Sequence, residues 1–124
     1  SNQPRSPRQL KVGEELRHAL AEVFMRGDYR VHELDGVSIT VSEVRISPDL
    51  KSATAYVMPL GGRNANAILE TLNQYSGQFR KAISSRVKLR YSPMIRFKLD
   101  HSFDEAAKIE NLLKQTIPAK NSAE

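Results

Sequence analysis

Residues 71–99 read TLNQYSGQFRKAISSRVKLRYSPMIRFKL, and this stretch decides the fold. Leu72, Phe79 and Ile83 recur at helical spacing in its first half. Beyond Tyr91-Ser92-Pro93 the period changes, and Ile95, Phe97 and Leu99 alternate with Arg96 and Lys98 as in a strand. The stretch also holds seven basic residues, Arg80, Lys81, Arg86, Lys88, Arg90, Arg96 and Lys98, and no Asp or Glu. The whole chain has 19 basic and 14 acidic residues, which leaves 12 against 14 elsewhere. The positive excess is therefore confined to a segment that also forms core. Such a segment should present a fixed basic surface, and the partner such a surface attracts is a polyphosphate.

Upstream, Ala65, Ile68, Leu69, Leu72, Ser76, Phe79 and Ile83 keep one helical phase. Gly77 inside a helix costs about 1 kcal/mol relative to Ala, and Gly/Ser pairs are kink sites. The reading is two helices, 64–75 and 77–87, meeting at Ser76-Gly77, with Asn64 as N-cap. Arg86 falls beside the apolar stripe, so its stem should snorkel or the helix should end there. Val37, Ile39 and Val41 alternate with polar residues as one strand. The alternation slips at Glu43 before Val44 and Ile46 resume, which predicts a bulge or the strand's end. Ser47-Pro48-Asp49 is a turn, and a second strand, Ala53 to Met58, forms an antiparallel hairpin with the first. Ala53, Ala55 and Val57 should face the helices. At the start of the chain, Val12, Leu16, Ala19, Leu20, Val23 and Phe24 define an amphipathic helix from Arg8 to near Gly27. At the end, Ala106, Ala107, Ile109, Leu112 and Leu113 suggest a last short helix. The organisation expected is a mobile arm over residues 1–7, one folded domain over 8–115 and a flexible tail over 116–124.

Composition excludes several function classes. The chain lacks Cys, so it can form no disulfide, thiolate metal site or cysteine nucleophile. No apolar run approaches the about 20 residues of a membrane span, and no secretory signal is visible, which makes the cytoplasm the expected compartment. The opening Ser1-Asn2 reads as a cleavage scar or an added boundary. His18, His32 and His101 are scattered, and neither a phosphate loop nor a nucleophile elbow is present. The expectation is a monomeric non-enzyme without cofactor or metal.

The order helix–strand–strand–helix–kink–helix–strand describes an α+β domain: a three-stranded sheet with helices on one face. It matches a KH domain of the second type. The sequence resembles the bacterial ribosome-binding factor A family over about residues 8–115. The resemblance rests on Val12-Gly13-Glu14-Glu15-Leu16, the run Val41 to Leu50, Ser76-Gly77-Gln78-Phe79-Arg80, the run Leu89 to Phe97 and Ile109-Glu110-Asn111-Leu112-Leu113. It implies a KH-like protein that binds the free small (30S) ribosomal subunit and assists late maturation and processing of 16S rRNA, near its 5′ terminal helix. The family's helix junction is Ala-x-Gly. Here Tyr75 stands at the Ala position, followed by Ser76 and Gly77.

The candidate RNA-binding residues are Tyr75, Ser76, Gly77, Arg80, Lys81, Arg86, Lys88 and Arg90. A helix beginning at Gly77 would direct free backbone N–H groups and a positive dipole end at the junction, with Arg80 and Lys81 in its first turn. Tyr75 and Tyr91 could stack bases, whereas Phe97 should be core. The alternative reading is a module that docks an acidic protein through the same basic face.

Overall fold

Ser6 opens the first helix, α1 (Pro7–Arg26), with a reciprocal capping box. The Gln9 N–H donates to Ser6 Oγ at 3.1 Å, and the Ser6 N–H donates to Gln9 Oε1 at 3.0 Å. Pro7 occupies the first helical position, where a missing N–H costs nothing. Arg5, just before, donates to Glu43 Oε2 at 3.1 Å. Ser6 and Pro7, expected in the arm, thus form the helix start. The computed structural model describes residues 5–27, 29–60, 64–89 and 92–101. The expected final helix and tail lie outside the described residues. Gly27 closes α1 at φ 69°, and its N–H donates to the Val23 carbonyl, the left-handed cap that glycine adopts without strain.

The connector after α1 contains a 3-10 turn, His32–Leu34, which buries Leu34 beside Val31. Strands β1 (Ser38–Ile46) and β2 (Ser52–Leu60) then pair antiparallel. Val41 lies opposite Val57 and Glu43 opposite Tyr56, so Ser42 is the extra residue of a bulge. The phase slip in the sequence is this bulge. It lets Val41, Val44 and Ile46 all point into the core. In the turn, Asp49 Oδ1 accepts from Ser47 Oγ at 2.5 Å and from the Lys51 N–H at 3.0 Å.

Helices α2 (Ala65–Gln74) and α3 (Ser76–Ser84) are separated by Tyr75, at φ −104° and ψ 22°. The break expected at Ser76-Gly77 lies one residue earlier. Asn64 holds the N-cap position at φ 57°, but its side chain makes no capping bond. α3 also stops short of the expected residue 87. Its last serines explain this: Ser84 Oγ donates to the Lys81 carbonyl at 2.9 Å and Ser85 Oγ to the Ala82 carbonyl at 2.8 Å. Serines that bond nearby carbonyls compete with the helical ladder.

β3 (Met94–Leu99) returns parallel to β2 at the sheet edge, in the order β1-β2-β3, with Phe97 opposite Ala55. The helical crossover is what makes a parallel neighbour possible. Ala53, Ala55 and Val57 are buried beneath the helices, as the alternation predicts. Their small size leaves room for Phe97, which meets Phe79 edge to face at 5.4 Å. Both rings are buried, and each contributes about 1.5–3 kcal/mol by leaving water. α1 lies so close to β1 that a Cβ on Gly13 would sit 2.6 Å from the Val44 carbonyl oxygen. The architecture is α+β, a three-stranded sheet with helices on one face, and its element order is KH-like.

Candidate nucleic-acid interface

The seven candidate residues that the structure describes do not share one surface. Tyr75, Ser76 and Gly77 form the junction. α3 begins at Ser76 rather than Gly77, has no side-chain cap and carries no acidic residue in its first turn. Its positive end is therefore not neutralised by a carboxylate of its own. Gly77 is exposed, its φ is not left-handed, and nothing lies within 4 Å of a Cβ placed on it. The break does not require glycine. What Gly77 provides is an unobstructed approach to the backbone.

Tyr75 is committed differently from a free stacking platform. Its ring packs partly against the core, and its hydroxyl donates to Glu33 Oε2 at 3.3 Å. The Tyr at the family's Ala position is thus accommodated by the 3-10 turn. Arg80 donates through Nε at 3.2 Å and Nη2 at 2.6 Å to the Ser92 carbonyl, pinning the loop that leads into β3. Lys81 is exposed and shares a shallow cleft with Tyr29, Arg30 and Gln78.

Arg86 is half-buried, as its place beside the apolar stripe suggests. It donates to Glu22 Oε1 at 3.1 Å and to the Ala82 carbonyl at 3.2 Å. It ties α3 to α1 with its guanidinium turned into the protein. Lys88 borders a depression that also contains Glu15 and Glu22, two carboxylates unfavourable to a polyanion. Arg90 and Tyr91 lie outside the described residues.

Other residues join the junction instead. A groove of about 750 Å³ runs along the edge of β3, with Asn73 and Ser76 on the helical side and Met94, Arg96 and Lys98 on the strand side. The α3 start therefore opens beside Arg96 and Lys98. Both cations are exposed, and neither has an acidic partner among the described residues. Asn73 fixes the groove wall: the Phe97 N–H donates to its Oδ1 at 2.8 Å, and its Nδ2 donates to the Phe97 carbonyl at 3.0 Å. The alternation of Arg96 and Lys98 with Phe97 was a legible sign that they leave the core. Asn73 had no such sign, since its role exists only once β3 lies beside α2. Arg30, outside the basic stretch, reaches Lys81 only through the turn after α1.

The arrangement offers backbone N–H groups and cations, which suits phosphate binding. Among the described residues no group of three His, Asp or Glu side chains could hold a metal ion, and no helix is long and apolar enough to cross a membrane.

Comparison with known proteins gives a consistent result. The family model described as ribosome-binding factor A matches residues 8–113. The chain is 48% identical over 116 residues to ribosome-binding factor A of Bradyrhizobium diazoefficiens, covering 94% of this chain and 81% of that protein. It is 47% identical over 113 residues to that of Pelagibacter ubique, covering 91% and 93%. The crystal structure of ribosome-binding factor A from Thermus thermophilus superposes with a TM-score of 0.61 at 25% identity, over 73% of this chain and 94% of that one. A Thermus thermophilus homology model fitted into a cryo-electron microscopy map of a 30S complex shares the fold at a TM-score of 0.58 and 23% identity, over 75% and 96%. The chain belongs to the ribosome-binding factor A family.

Proposed function

We propose that the chain works by binding alone, as a cytoplasmic, monomeric assembly factor. It binds the free 30S subunit through 16S rRNA and assists late maturation and processing of that RNA near its 5′ terminal helix. The observation that carries this reading is the uncapped, acid-free start of α3 opening onto a groove edged by Arg96 and Lys98. Such a site holds a phosphate backbone without reading bases. Family membership supports the ribosomal target, as does the relative fitted into a 30S complex. By holding one rRNA segment in a single conformation, the protein would favour that conformation during assembly and leave when a mature structure replaces it.

The test is sedimentation of lysate through a sucrose gradient, comparing the native chain with Gly77→Val. Nothing lies within 4 Å of a Cβ placed on Gly77, so the variant should fold while its branched side chain blocks approach of a backbone. The native chain should migrate with free 30S subunits and the variant should remain near the top. A native chain absent from the 30S fractions sinks the proposal. Association that survives nuclease removal of RNA would instead favour an acidic protein partner.

A further inference from the structure

The described helices cover one face of the sheet, and the side chains of the opposite face form two rows across the three strands. Arg45, Thr54 and Arg96 align in one row, and Glu43, Tyr56 and Lys98 in the next. Tyr56 is the only aromatic residue in these rows. It is half-buried, and the Arg45 guanidinium carbon lies 5.6 Å from its ring centre. Arg45 and Arg5 both donate to Glu43, at 2.9 and 3.1 Å. The two rows with Arg5 thus hold four cations against one carboxylate. Arg96 and Lys98 also edge the groove beside the α3 start, so the basic surface continues around the edge strand onto this face.

An aromatic ring set in a sheet, flanked by cations on both neighbouring strands, suits a nucleic acid whose bases are free to stack. A duplex keeps its bases stacked internally and cannot use the ring. An acidic peptide would use the charges and have no need of Tyr56. We infer that the sheet face opposite the described helices is a second RNA contact, in which an unpaired base stacks on Tyr56 beside Arg45 while Arg96 and Lys98 hold the flanking phosphates. The inference rests on the RNA-binding function proposed above and extends it from the junction to the opposite layer.

Fluorescence anisotropy with the full chain and a labelled single-stranded RNA of about 12 nucleotides, within the site sizes of such surfaces, tests it across a KCl series. A duplex of the same length serves as comparison. Tyr56→Leu should weaken single-strand binding roughly tenfold or more, leave duplex binding unchanged and leave the salt slope unchanged. Tyr56→Phe should bind like the native chain. Arg96→Gln with Lys98→Gln, at exposed positions that do not threaten folding, should make the slope shallower by about 1.4, two phosphate contacts on a single strand. Native affinity and slope in this double variant would overturn the inference even if Tyr56→Leu failed to fold. So would equal losses on single strand and duplex for Tyr56→Leu, or lost subunit binding with single-strand binding intact, which would assign the face to a ribosomal protein. The function proposed above fails separately, when the native chain itself does not associate with 30S subunits.

Discussion

The Asn73 carboxamide brackets the backbone of Phe97, accepting from its N–H at 2.8 Å and donating to its carbonyl at 3.0 Å. β3 is an edge strand, so these two groups would otherwise face outward without a strand partner. One side chain of α2 replaces the missing strand at the point where Phe97 enters the core. Asn73→Leu should destabilise the protein by about 1–3 kcal/mol, because two partly buried backbone groups lose their partners. Urea unfolding checks this, and a change under about 0.5 kcal/mol would mean that water satisfies both groups equally well.

Two helical glycines should respond in opposite directions to alanine. At Gly13 the new Cβ would meet the Val44 carbonyl oxygen at 2.6 Å, and a backbone atom inside a paired strand cannot retreat cheaply. Overpacking of about 1–3 kcal/mol should exceed the helix-propensity gain of at most about 1 kcal/mol. At Gly77 nothing lies within 4 Å, so Gly77→Ala should be neutral or stabilising by less than about 1 kcal/mol. Paired thermal melts distinguish the two. A stabilised Gly13→Ala would show that α1 and β1 can separate without loss.

Arg80 and Lys81 are adjacent in sequence but should differ in what they do. Arg80→Ala removes two hydrogen bonds to the Ser92 carbonyl and should cost about 1–2 kcal/mol of stability. Lys81→Ala combined with Arg30→Ala should leave stability within about 0.5 kcal/mol of the native protein. If their shared cleft meets RNA, it should also flatten the log-affinity against log-salt slope by about 1.4–1.8. Urea titration and RNA binding across KCl concentrations, run on both variants, separate the roles. A slope change confined to Arg80→Ala would reverse the assignment.

Glu43 links the start of α1 to the sheet, and its carboxyl is held below the ordinary glutamate range. The Arg45 hydrogen bond is the largest cause; partial burial opposes it, and the Arg5 hydrogen bond and the charges of both arginines lower the pKa further. A depressed folded-state pKa contributes stability that is fully present above the unfolded value and is lost as pH falls through the folded one. The pairs are solvent-screened, so the contribution should be a few tenths of a kcal/mol. Between about pH 7 and pH 3, Glu43→Gln should lose less stability than the native chain. Parallel pH profiles of the urea midpoint would contradict the assignment.

Local rules settled much of this protein from its residues alone. The period of the apolar positions located α1, the hairpin, the phase slip in its first strand and the change to strand at Met94–Leu99, because burial of one face imposes 3.6 or 2 on any chain. The break between α2 and α3 was legible to within one residue, since Ser76 and Gly77 weaken a helix locally. The end of α3 was missed because Ser84 and Ser85 could equally have pointed to solvent. What the cations do was beyond sequence reasoning. Seven of them lie in one stretch, but charge has no direction until the chain is packed. The fold turns Arg80 onto a loop carbonyl and Arg86 onto Glu22, gives Lys81 a neighbour in Arg30, and sends Arg96 and Lys98 to the sheet edge. The parallel placement of β3, the Asn73 bracket and the approach of Gly13 to Val44 likewise depend on residues distant in sequence. Only the tertiary structure decides such contacts, because each requires two elements to be positioned before either side chain has a partner.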